Sequence, residues 1–300
     1  MFREKDRFIF LSLNFIMVLA LLLLISFLVI ESIPTFLKQG VYFVLGEKWS
    51  YEENVYGARL FIVGTVIVTV LAIAMASPIG LFTALFFAHY SPKAVSEFFR
   101  PLVEVLVGIP SVVYGIFGLM ILEDIFQKHF DPIIDKTLGF IHVFRDVSPN
   151  SGDGVFLASF VLMIMILPTI TAISYESIKM VPKEFLEAAY SLGTTKWEVI
   201  RNVILPIASP GIIAGIVLGT MRAMGETMAI AMLVGNSMKF PSSIFDSTYV
   251  ITSKILMDLP YYFAEREARS ALIALGLLLL LIEIIFVLIL RAVYRFTVVK

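Results

Sequence analysis

Six stretches of this 300-residue chain are apolar for long enough to cross a hydrocarbon layer, which rules out most folds open to a chain of this length. A lipid core of roughly 30 Å needs about 20 helical residues, because each residue rises about 1.5 Å and a spanning backbone must satisfy its own polar groups. The stretches cover approximately residues 8–30, 60–88, 102–122, 155–177, 206–234 and 270–290. A content of 59% hydrophobic and 16% charged residues fits the same conclusion, since soluble domains carry far more charge. The fold class is an all-α membrane protein with six transmembrane helices. The first stretch follows Arg3, Lys5 and Arg7 like a signal peptide. Its apolar run is longer than a usual signal core and no A-x-A site follows, so it reads as a retained anchor.

An even number of spans puts both termini on one side. The segments on that side hold 12 Lys and Arg in 58 residues, against 10 in 96 on the other. Dense basic loops stay in the cytoplasm, so both termini are expected there. The net charge of −1 gives no support for nucleic-acid binding. Without cysteine there is no disulfide or thiolate chemistry, and His89, His129 and His142 lack metal-ligand spacing. No nucleophile with a base and no paired aspartates fall inside the spans, which argues against an intramembrane enzyme. No GxxxxGK[ST] loop is present, so nucleotide would have to be bound by another chain.

The longest basic-side segment lies between the fourth and fifth stretches. Pro182, Lys183 and Glu184 open a short helix running to Gly193, placed as its terminating glycine. Thr195 and Glu198 form a T-x-x-E capping box for a second helix ending by Pro206. In the first helix Phe185, Ala189 and Leu192 make an apolar stripe on a segment too short to stand alone. It either docks in a groove on another protein or lies on its own bundle or on lipid.

The string EAAYSLGTTKWEVIRNVILP resembles the EAA loop of ABC-importer permeases. Glu187, Ala188, Ala189, Gly193, Leu205 and Pro206 fall at its patterned positions, with Val203 in an isoleucine place. ESIPTFLKQG, YGARLFIVGT, RPLVEVLVGIPSVVYGIFGL, RAMGETMAIAMLVGN and SALIALGLLLL narrow the likeness to the PstC-type permeases of phosphate importers. The resemblance implies a type I ABC importer permease with a cytoplasmic coupling-helix loop at 182–206. Glu187, Ala188, Ala189 and Gly193 would contact the ATPase. It implies an anchor and first external loop at 1–59 and a permease core at 60–300. It also implies a PstA-type permease partner, a cytoplasmic ATPase dimer that binds the ATP, an extracytoplasmic phosphate-binding protein, and no cofactor on this chain. Nothing is carried over onto the external loop 123–154.

Four ionisable residues interrupt the apolar stretches: Glu104, Arg222, Glu226 and Glu283. Such groups usually face a bundle interior, a watery cavity or a partner charge. Helical spacing would set Arg222 and Glu226 on one face, four residues apart. They read either as a mutually neutralising structural pair or as a phosphate path, in which the guanidinium fork suits an oxyanion and the carboxylate accepts a proton from it. The resemblance associates both positions with phosphate passage. Glu104 is expected near the interface and is left out of the site, while Glu283 is open between a cross-helix bond and a lumen contact. Gly108, Ile109 and Pro110 mark a kink or hinge, and Gly211, Gly215 and Gly219 a helix-packing face. Rival readings are a permease for another oxyanion or solute, and a membrane scaffold that does not transport.

Overall fold

A computed structural model describes residues 4–145 and 152–298. In chain order the elements are α1 (Glu4–Gln39), α2 (Tyr42–Leu45), β1 (Trp49–Ser50), β2 (Val55–Tyr56), α3 (Arg59–Leu85), α4 (Lys93–Leu106), α5 (Ser111–Phe117), α6 (Glu123–Ile125) and α7 (Asp131–Leu138). There follow α8 (Val155–Lys179), α9 (Lys183–Ser191), α10 (Lys196–Val199), α11 (Leu205–Met224), α12 (Met228–Leu233), α13 (Ile251–Tyr262) and α14 (Arg266–Val298). Wide π turns prolong α3 through Tyr90 and join α5 to α6, α6 to α7 and α10 to α11. Among the described residues five helices are long and apolar enough to span a membrane: Leu11–Gln39, Arg59–Tyr90, Val155–Lys179, Lys196–Met224 and Arg266–Ala292.

The chain forms two units. The smaller comprises Met1–Arg59 and Lys254–Leu280. None of the most apolar window of α1 is buried by protein, as a lipid-facing helix requires. The first span runs on to Gln39 rather than ending near residue 30, with Pro34 inside the helix. Beyond it, β1 and β2 pair antiparallel with Trp49 opposite Tyr56. The Lys254 ammonium meets Asp258 at 2.6 Å with side chains only 7% and 16% exposed. Tyr51 donates to the same carboxylate at 2.5 Å and stacks on Tyr262 at 3.7 Å. Burial, with Asp258 accepting its proton, pushes the Tyr51 hydroxyl far above the ordinary tyrosine range.

The larger unit comprises Leu60–Ser253 and Leu281–Lys300. Its core joins Val68, Ala72 and Ala76 of α3 to Val161, Leu162 and Ile166 of α8 and to Ile230 and Leu233 of α12. The glycine face expected on the fifth span packs against α8. A Cβ on Gly211 would meet Ser177, one on Gly215 would meet Ile173, and one on Gly219 would lie 2.8 Å from Cγ1 of Ile170. Small residues let the two backbones close, because tight packing is what holds helices together in lipid. Gly219→Val is therefore expected to destabilise the fold by about 1–3 kcal/mol through overpacking, read as a lower melting temperature of the detergent-solubilised protein. An unchanged melting temperature would show that α11 and α8 are not closely packed there.

Two expected spans are not single helices. The third is cut after α4, and its helix resumes at Ser111 and continues, with wide turns, to Leu138. Residues 123–138 of the expected external loop 123–154 are thus helical. Pro110, with ψ 138°, holds the extended backbone that precedes α5. Gly108 lies in this break, as expected of a kink, whereas Gly115 and Gly118 close on Met232 and Leu233. The fifth stretch stops at Met224 and restarts at Met228. The loop's second helix does not end by Pro206 but runs into α11 through the π turn Ile200–Ile204. Widening that turn accommodates a proline that has no N–H to give and whose ring crowds the preceding turn. The side chain of Glu104 lies outside the described residues.

Candidate functional site

The breaks at 107–110 and 225–227 meet within the larger unit. A helix that stops leaves its last carbonyls without intrahelical donors, and the C-terminus carries partial negative charge. At the end of α4 the Tyr114 hydroxyl donates to the Leu106 carbonyl at 2.9 Å, and Nη2 of Arg222 donates to the Val107 carbonyl at 3.3 Å. Arg222 is half-buried near the end of α11. Among the described residues it makes no further hydrogen bond and no ion pair, so most of its planar fork is unengaged.

Glu226 is not where helical spacing would put it. α11 ends at Gly225, and Glu226 turns its carboxylate onto the start of α12. Its Oε1 accepts from the backbone N–H of Thr227 at 3.1 Å and of Ala229 at 3.3 Å. Two amides at a helix N-terminus satisfy a carboxylate as a cap does. The expected Arg222–Glu226 pair on one face is therefore corrected: no ion pair joins them among the described residues. The physical reason is the helix break, since i,i+4 geometry needs an uninterrupted turn between the two residues. The Thr227 hydroxyl bonds locally, to the Gly225 carbonyl at 3.2 Å. Glu283 is half-buried in α14 with no hydrogen-bond partner among the described residues.

The loop between α8 and α11 is the second candidate region. Pro182 precedes α9, and Gly193 follows it at φ +75°, a left-handed position that suits glycine. The capping box on α10 is complete: Glu198 N–H donates to the Thr195 hydroxyl, and Glu198 accepts from the Thr195 N–H at 2.7 Å. The expected stripe is shifted by one position. Leu186 and Ala189 pack inward on the cluster of Ile178, Val199, Ile200 and Ile204, so Ala189 is half-buried. Phe185 and Leu192 point outward, 54% and 84% exposed, with Glu187, Ala188 and Gly193 also exposed. The loop thus packs on its own bundle and still leaves an apolar outer face. Lys196 fixes it further, donating to the His89 carbonyl at 2.5 Å and lying 4.3 Å over the Tyr90 ring.

Sequence reasoning missed the backbone partners of this region. The Val107 carbonyl and the Tyr114 hydroxyl carry no motif. Gly225 was the available signal, because a glycine ending a helical run marks a C-terminus as well as a packing contact.

Spanning helices with two facing breaks, and a short two-helix loop built onto one end of the bundle, define the class: a polytopic membrane component with a charged interior. Residues 76–298 match the binding-protein-dependent transport system inner membrane component, and the chain belongs to that family. It is 36% identical over 284 residues to the phosphate transport system permease protein PstC of Pasteurella multocida, covering 94% of this chain and 87% of that one. It is 33% identical over 292 residues to the probable ABC transporter permease protein YqgH of Bacillus subtilis, covering 96% and 89%. The family resemblance read from the EAA string is thereby confirmed. The fold is similar to a chain of a bacterial ABC transporter involved in the import of the acidic polysaccharide alginate, with TM-score 0.57 and 17% identity over 98% of this chain and 97% of that one. It also resembles the inward facing MetNI methionine ABC transporter, with TM-score 0.51 and 17% identity over 82% and 99%. At this identity the two structures speak for the fold alone.

Proposed function

We propose that this chain is one half of the pore of an ATP-driven phosphate importer, with Arg222 and Glu226 on the substrate path. The observation that carries the reading is a half-buried guanidinium beside two helix breaks, with one hydrogen bond, to the Val107 carbonyl, and no carboxylate paired with it among the described residues. Arginine presents a planar fork that suits a tetrahedral oxyanion. The names of relatives more than 30% identical over most of the chain support phosphate as that oxyanion. Glu226, held on α12, contributes a fixed negative charge that favours a protonated phosphate over a fully ionised oxyanion such as sulfate.

The chain hydrolyses nothing and carries no cofactor. A separate ATPase dimer binds ATP and presses on α9 through the exposed Glu187, Ala188 and Gly193, while Ala189 holds the loop to the bundle from its inner side. A PstA-type permease supplies the other half of the pore, and an extracytoplasmic phosphate-binding protein delivers the substrate. Both termini and α9 then lie in the cytoplasm. Labelled uptake into vesicles holding the full assembly tests this: phosphate accumulates on ATP addition and a tenfold excess of sulfate or molybdate fails to compete, by about the discrimination one well-placed charge supplies. Equal uptake of the three anions removes the phosphate assignment.

A further inference from the structure

Helix α12 is six residues long, too short to keep its own shape, and both of its ends are tied to consecutive residues at the start of α13. At the leading end the Thr252 hydroxyl donates to the Glu226 carbonyl at 2.8 Å. At the trailing end the Ser253 hydroxyl donates to Oδ1 of Asn236, whose Nδ2 donates to the Ala231 carbonyl at 2.6 Å. Gly235 and Asn236 take φ of +78° and +47°, and this left-handed pair turns the chain away at the end of α12. Thr252 and Ser253 are 7% and 0% exposed, so neither hydroxyl has water as an alternative partner.

The start of α13 is itself anchored. The Ile251 N–H donates to the Thr65 hydroxyl at 2.9 Å, and that hydroxyl donates to the Phe61 carbonyl at 2.7 Å. Next to Thr65 in α3 lies Gly64, where a Cβ would come within 2.2 Å of the Tyr249 carbonyl. A continuous set of contacts thus leads from α3, through residues 249–253, to both ends of the half-helix that carries Glu226. Among the described residues the Glu226 carboxylate reaches amides of its own segment alone, so its direction is set by the peptide unit that Thr252 holds.

We propose that Thr252 is a positioning residue for the substrate path: its hydroxyl fixes the Glu226 carbonyl and thereby keeps the Glu226 carboxylate seated on α12. The consequence for transport rests on the reading that Glu226 lies on that path. Valine at 252 keeps the shape and removes the donor, leaving the half-buried Glu226 carbonyl short of that partner, and serine restores the donor.

The test uses the complete importer in vesicles with labelled phosphate, together with hydrogen exchange of the peptide spanning residues 226–233. Thr252→Val is expected to lower maximal uptake about tenfold, the effect of one lost buried hydrogen bond, and to speed exchange of the Thr227 and Ala229 amides by a similar factor. Thr252→Ser restores both. Combined with Glu226→Gln, the valine variant transports no worse than Glu226→Gln alone, because the two act through one group. Unchanged exchange in Thr252→Val, or losses that multiply in the double variant, overturns the proposal. Normal uptake by Glu226→Gln overturns instead the reading of Glu226 as part of the path, while faster exchange in Thr252→Val still establishes the positioning contact.

Discussion

Arg222→Gln is expected to lower phosphate uptake about 100-fold while leaving the amount of assembled transporter unchanged, and Glu226→Gln to do the same. A cation inside an apolar span lowers the energy of an anion passing it, and losing about 3 kcal/mol of that stabilisation is about 100-fold in rate. The two substitutions are chosen so that fold and charge separate. Glutamine at 226 still offers an oxygen to the Thr227 and Ala229 amides, so the α12 cap survives and only the charge is lost. Glutamine at 222 still reaches toward the Val107 carbonyl with an amide donor. Arg222→Lys keeps the charge as a point and loses the fork, and it is expected to fall between the native chain and Arg222→Gln, about tenfold below the native chain. Uptake assayed alongside the yield of intact complex checks all three. Normal transport in both glutamine variants would make the pair a scaffold.

Ala188→Asp is expected to abolish phosphate uptake, with the ATPase no longer copurifying, while the chain remains in the membrane. Ala188 is exposed on α9, beside the outward-facing Phe185 and Leu192. A helix docked in a groove must shed water from that face, and an unpaired carboxylate there costs about 3 kcal/mol or more. Ala188→Ser changes little in size and is expected to transport almost normally. Ala189 is the internal control: its side chain packs on the chain's own cluster, so Ala189→Asp is expected to destabilise the loop itself. Transport and copurification that survive Ala188→Asp would place the contact elsewhere on the loop.

The spanning helices and the two-helix loop were legible because their signals are local. A T-x-x-E box and a glycine after a short helix act within one or two turns, and a run of about twenty apolar residues needs no distant partner to be recognised; the loop signals stand where the residues indicate, and five of the six expected spans lie on long apolar helices among the described residues. The breaks were only partly legible. Gly108 and Pro110 mark one of them, whereas the continuous apolar stretch 206–234 hides the other at Gly225, and the expected face shared by Arg222 and Glu226 fails for that reason. What the sequence could not give is the partner across the fold. Lys254 looks like a loop lysine, yet it is buried against Asp258 because Tyr51, far away in sequence, shares that carboxylate. Thr252 looks like an ordinary hydroxyl, and its use depends on where a carbonyl 26 residues earlier comes to rest.

The account requires that motion enter the permease from another chain through the outer face of α9. Because the sequence has no cysteine, a single cysteine at Ala188 gives one reactive site on an otherwise inert chain. Crosslinking that position in membranes holding the assembled transporter is predicted to trap a nucleotide-hydrolysing subunit, with a yield that changes when ATP is added. Trapping of no such subunit, in membranes that still take up phosphate on ATP, would contradict it.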